Sequence, residues 1–123
     1  MPVEEASRVS APSGAASRDA AVSEFALVVV DGEAAGRRVA IGPVPIVVGR
    51  GVGVDLQVSD LTVSRHHCVV WCTAGRCWVR DLGSTNPTRV NNRPSFVSEI
   101  FAGDLIAIGQ TALTLMRSPS LPT

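Results

Sequence analysis

Three short stretches of this chain concentrate side chains suited to meeting an oxyanion: Gly49-Arg50, Ser64-Arg65-His66-His67, and Asp81-Leu82-Gly83-Ser84-Thr85-Asn86. They supply two guanidinium groups, several hydroxyls and a carboxamide, with no carboxylate spaced as a general base. A phosphate ester fits that inventory, because an arginine fork engages two of its oxygens at once and hydroxyls can serve the third. Arg50 is the best candidate for the fork, and Ser64 and Thr85 for the hydroxyl donors. Asn86 offers an amide to a peptide main chain, and Arg65 adds charge at the rim.

Composition narrows the alternatives. The 123 residues suffice for one domain with one modest core. Eleven basic residues, all arginine, balance eleven acidic ones, so the net charge is zero and no long-range field draws the chain to nucleic acid or an anionic membrane. Without lysine, Schiff-base chemistry and a lysine-bearing phosphate loop are both excluded. No nucleophile stands beside a base in any recognised spacing, so no catalytic residue and no enzyme activity are expected. His66, His67, Cys68, Cys72 and Cys77 form neither a Cys-x-x-Cys nor a His-x-x-x-His pair, so neither a metal site nor a cofactor is expected. The cysteines read as small buried hydrophobes. A Cys72–Cys77 disulfide is geometrically possible, but a reducing compartment disfavours it.

The residues that do chemistry need a scaffold, and the scaffold is β. Nineteen valines and five isoleucines favour a pleated, half-buried surface. Short apolar stretches recur between turn signals: Phe25 to Val30, Arg37 to Ile41, Ile46 to Val48, His67 to Thr73, Arg76 to Leu82, Asp104 to Ile108 and Thr111 to Met116. That spacing predicts a sandwich of antiparallel strands with loops gathered at the sheet ends, where segments distant in sequence converge. The clearest hairpin pairs Thr73 with Arg76 and Cys72 with Cys77, setting Cys68, Val70, Cys72, Cys77 and Val79 on one face and Trp71 and Trp78 on the other. Both tryptophans read as packing rather than as platforms for bases.

Residues 1–24 hold six alanines and five serines without a period and read as a disordered tail. Residues 25–117 form the domain, and residues 118–123 a flexible C-terminal end. The longest apolar run is six residues, Phe25 to Val30, far short of the roughly 20 that span a bilayer. The acidic start, Met-Pro-Val-Glu-Glu, is unlike a secretory signal, which points to a cytoplasmic address.

The ordered set Gly49-Arg50, Asp55, Asp60, Ser64-x-x-His67, Asp81-Leu82-Gly83-Ser84-Thr85-Asn86, Val90-Asn91 and Gly103-Asp104 resembles the forkhead-associated (FHA) domain, over about Ile46 to Leu115. The resemblance implies an all-β sandwich of about eleven strands in two antiparallel sheets, binding phosphothreonine peptides through its apical loops. Arg50 and Ser64 match the phosphate-contacting pair, Thr85 a further phosphate contact, Asn86 the main-chain clamp and Arg65 an auxiliary contact. Gly49, His67 and Asn91 match residues that support the site: the small residue before the arginine, the histidine bracing the loops, and a structural residue near the peptide face. One departure stands out. Pro87 takes the place usually held by glycine, fixing φ near −65° and removing a backbone donor.

The reading that follows is a module recruiting partners phosphorylated by a Ser/Thr kinase. A phospho-independent scaffold or assembly module is the alternative. A monomer is expected, with neither nucleic acid nor membrane as partner. Arg89 reads as an ordinary surface arginine, and Asp55, Asp60, Asp81 and Asp104 as turn-formers.

Overall fold

A computed structural model describes residues 24–117. The expectations for residues 1–23 and 118–123 lie outside the described residues. Among the described residues no helix is long and apolar enough to cross a membrane. The chain forms β1 (Phe25–Val29), β2 (Arg38–Ile41), β3 (Ile46–Gly49), β4 (Leu56–Gln57), β5 (Cys68–Thr73), β6 (Arg76–Asp81), β7 (Arg89–Val90), β8 (Arg93–Pro94), β9 (Val97–Ile100), β10 (Leu105–Ile108) and β11 (Thr111–Arg117). All seven stretches legible as strands are strands. The four added by the structure are short.

Two sheets face each other, one in the order β2-β1-β11-β10-β7-β8 and the other β4-β3-β5-β6-β9. Alternation along the longer strands supplies most of the core. Leu27 and Val29 of β1, Ile106 and Ile108 of β10, and Leu113 and Leu115 of β11 point inward from the first sheet, against Val48, Val70, Val79 and Ile100 of the second. The β5–β6 hairpin has the expected register, with Thr73 opposite Arg76, Cys72 opposite Cys77 and Trp71 opposite Trp78. Its two-residue turn, Ala74-Gly75, has positive φ at both positions (53° and 77°), the twist that a tight hairpin requires.

The structure corrects two expectations. The second sheet is mixed, because β4 runs parallel to β3, Val48 facing Leu56 and Gly49 facing Gln57. After β3 the chain doubles back far enough for the Asp55 carboxylate to accept the Val47 amide (2.8 Å), and β4 then climbs beside β3 in the same direction. The second correction concerns the cysteines. Cys72 and Cys77 are joined by a disulfide, leaving buried Cys68 as the free thiol. The hairpin register brings their Cα atoms to 4.0 Å, so proximity decides the pairing.

Candidate functional site

The ends of β3 and β5 and the loop after β6 meet at one end of the sandwich. Backbone bonds join the first two: the Arg50 amide donates to the Ser64 carbonyl (3.0 Å) and the Gly51 amide to the Arg65 carbonyl (3.0 Å). Only glycine permits this approach. A Cβ on Gly49 would lie 2.7 Å from the Arg65 carbonyl carbon and 2.9 Å from the Ser64 oxygen. Gly49 therefore acts through packing, by letting one loop lie directly on the other.

Arg50 is positioned by its own side chain. Its Nε–H donates to the Val63 carbonyl (3.0 Å), and among the described residues this is the guanidinium's one hydrogen bond. The two terminal nitrogens remain available as a fork. Ser64 is fixed from both sides: its amide donates to His67 Nδ1 (3.0 Å), and its hydroxyl oxygen accepts the Thr85 amide (3.0 Å). A hydroxyl that accepts this bond still has its own proton to donate.

His67 is fully buried beneath the loops. Because Nδ1 accepts from Ser64, the neutral ring carries its proton on Nε2, which lies 4.0 Å from Asp81 Oδ1 without a hydrogen-bond partner. Burial lowers the imidazole's pKa below its ordinary value, against the opposing pull of Asp81. The neutral ring thus packs beneath the loops and accepts the Ser64 amide.

Asp81 organises the loop that presents Thr85 and Asn86. One carboxylate oxygen accepts the amides of Gly83 and Ser84 (2.9 Å each), and the other accepts the Ser84 hydroxyl (2.5 Å) and the Thr88 amide and hydroxyl (3.0 and 2.7 Å). Burial pushes its pKa up, but these donors outweigh burial and hold it at about 2. Asp60 does a similar task in the loop before β5. It accepts the Thr62 amide and hydroxyl (2.9 and 2.6 Å) and the Thr111 hydroxyl (2.7 Å), while Thr62 Oγ1 accepts the Gln110 amide (2.8 Å). Both carboxylates act as turn-formers, each with reach beyond its own turn.

Arg50, Ser64, Arg65, Thr85 and Asn86 line one cavity of about 380 Å³, together with Leu61, Thr62 and Val63. All five residues expected to face a ligand thus share one wall, with Gly49 and His67 behind it. Asn91 stands apart. At positive φ it donates to Asp104 Oδ1 (3.0 Å) and accepts the Leu105 amide (3.0 Å), bracing the β7–β8 turn against β10. Asn86 is not wholly free either: its Nδ2 donates to the Thr62 carbonyl (2.8 Å), linking the loops across the cavity floor. Thr62 and Val63 belong to the Asp60–Val63 loop, which reads from the sequence as a segment that sets the choice of residues flanking a phosphothreonine. Its Asp60-x-Thr62 spacing marks a side-chain-closed turn.

The cavity presents hydrogen-bond donors and two cations, and its nearby carboxylates, Asp60 and Asp81, are already occupied by donors. That arrangement can receive a multiply charged anion; proton abstraction from a substrate would need a free base.

The chain is similar to known proteins in both sequence and fold. A family model of the FHA domain matches residues 46–109. The oxoglutarate dehydrogenase inhibitor of Corynebacterium glutamicum is 32% identical over 116 residues, covering 94% of this chain and 81% of that protein. The glycogen accumulation regulator GarA of Mycolicibacterium smegmatis is 34% identical over 93 residues, or 76% of this chain and 59% of that one. A solved structure from a structural and functional analysis of phosphothreonine-dependent FHA domain interactions superposes with a TM-score of 0.72 at 28% identity, covering 80% of this chain and all of that one. The family match extends over more than half of the sequence and takes in every loop that lines the cavity, and the chain belongs to the FHA domain family.

Proposed function

We propose that this chain is a phosphothreonine-peptide reader that recruits partners marked by a Ser/Thr kinase, and that it works by docking rather than catalysis. The observation that carries the reading is the convergence of Arg50, Ser64, Arg65, Thr85 and Asn86 on one cavity, with Arg50 held at Nε so that its terminal nitrogens form the fork. A phosphate seated there meets two guanidinium groups and two hydroxyls, and exposed Leu61 gives the threonine methyl an apolar neighbour. A cytoplasmic address is part of the same proposal. Relatives named as an enzyme inhibitor and a metabolic regulator suit a protein that acts by binding another.

The test is an oriented phosphothreonine peptide library against the folded chain and Arg50→Ala. Removing a charged partner of phosphate costs about 2 to 5 kcal/mol, so the variant should lose most affinity while keeping its unfolding transition. Equal binding by the two proteins overturns the reading.

One observation favours a second reading, phospho-independent scaffolding: the Asn86 amide already donates to Thr62, and Pro87 follows it. Phosphatase treatment of a captured partner separates the two, since a scaffold keeps its grip.

A further inference from the structure

The disulfide lies near the opposite end of the β5–β6 hairpin from the candidate site, and the fold has little use for it as a staple. Cys72 and Cys77 are five positions apart and already held by the Ala74-Gly75 turn, so the cross-link closes a loop that the hairpin has closed. The Cys72 amide donates away from β6, to the Gly42 carbonyl (2.8 Å), so no backbone bond of the hairpin ladder depends on this pair's side chains. On the outer face, Arg76 makes a two-pronged salt bridge with Glu99 of β9 (2.9 Å each) and lies over the Trp78 ring, so β6 is tied to β9 without the disulfide.

The two sulfurs are not equivalent. Cys72 lines an open cavity of about 270 Å³, bounded by Phe25, Ile41, Pro43 and the hairpin turn, and Cys77 does not. Cys77 is 1% exposed and Cys72 6%, and Cys77 sits opposite buried Ile100. The remaining cysteine does not compete. Cys68 is four residues along β5 from Cys72, roughly 13 Å at strand spacing, and burial pushes its thiol up to about 12.

We propose that Cys72 is a thiol-exchange site, at which a low-molecular-weight thiol enters this cavity and is captured as a mixed disulfide. The thiolate RS⁻ attacks Cys72 Sγ, forming the R–S–S–Cys72 bond as the Cys72–Cys77 bond breaks. Cys77 leaves as thiolate and takes up the proton that the attacking thiol released. A second thiol attacks the R-side sulfur, giving RSSR and the free Cys72 thiol. Two thiols thus supply the two electrons that reduce the cystine, and RSSR reverses the sequence. Because the ladder on either side stays paired, the exchange proceeds in the folded domain. None of this depends on the phosphopeptide reading.

The test uses the full oxidised chain with glutathione as the probe, quenched in acid, alkylated and mapped by peptide mass spectrometry. Glutathione should appear on Cys72 and the alkyl group on Cys77, with a bias of at least about tenfold, as expected when access decides which sulfur is attacked. Adducts on Cys77, an even split, or exchange seen only in denaturant would each overturn the proposal. So would an intact mass showing both thiols free in protein purified without reductant. Single variants give an independent reading: Cys77→Ser should take up glutathione from glutathione disulfide at least about tenfold faster than Cys72→Ser. Equal rates would also overturn it.

Discussion

The Ser64 hydroxyl accepts the Thr85 amide at 3.0 Å across 21 residues of sequence, so a residue proposed to donate to a phosphate also joins two of the loops that line the cavity. Ser64→Ala therefore removes two things together. The lost bond should cost about 1 kcal/mol of stability, read from the urea midpoint. Phosphopeptide affinity should fall by about tenfold or more, because a hydrogen bond to a charged group is worth about 1.5–3 kcal/mol. Ser64→Thr keeps the hydroxyl and should recover most of both. Full affinity in the alanine variant would remove Ser64 from the site.

Asp81→Asn tests whether the loop of Thr85 and Asn86 is organised from below. The carboxylate serves five donors, and a carboxamide would turn an NH₂ toward some of them. A loss of about 2–4 kcal/mol in denaturant unfolding is expected for leaving buried donors unmatched. Peptide affinity should fall as well, although Asp81 does not line the cavity.

Much of this architecture is legible in the sequence, for reasons visible in particular residues. The β5–β6 register follows from two alternating runs around Ala74-Gly75, where the turn fixes which cysteine faces which. The strands β4, β7 and β8 are two residues each, too short to carry a period, so nothing in Leu56–Gln57 announces a parallel pairing. The five cavity-lining residues proposed to face a ligand are readable as a donor-rich set. The reach of Asp81 to Thr88, and the placement of Asn91 against Asp104, are tertiary facts that residue type alone does not encode.

Acid should weaken the fold in two steps. Burial lowers the pKa of His67, so as pH falls below its ordinary 6.5 the unfolded chain takes up a proton that the folded ring refuses, and stability declines. Asp81 is held near 2 against an ordinary 3.8, so between about pH 4 and 2 the unfolded carboxylate protonates first and about 2 kcal/mol more is lost. Urea midpoints should be flat from pH 8 to about 7 and fall below that. In Asp81→Asn the lower step should shrink, with Asp60 and Glu99, whose pKa values are also lowered by their hydrogen bonds, supplying what remains. A midpoint that rises on acidification through pH 6 would contradict the neutral state of buried His67.

Glycine substitutions separate close approach from ordinary loop tolerance. Gly49→Ala drives a methyl into the Ser64–Arg65 backbone, with no flexible side chain to yield, and should cost about 1–3 kcal/mol and weaken peptide binding. Gly42→Ala meets nothing within 4 Å and requires no positive φ, so it should be neutral or slightly stabilising. Equal effects at the two positions would mean that the β3 loop does not rest on the strand-β5 loop as described.

Arg50→Lys asks whether the site needs a fork or merely a charge. The arginine is anchored through Nε to the Val63 carbonyl (3.0 Å), leaving two coplanar nitrogens; lysine has one nitrogen and cannot make both the anchor and the paired contact. Affinity should fall by about tenfold to a hundredfold, a loss smaller than in Arg50→Ala but of the same sign. The fold should be unaffected, because the backbone bonds from Arg50 and Gly51 do not involve the side chain. If lysine restores wild-type affinity, charge alone suffices and the geometric basis of the proposed phosphate recognition is wrong.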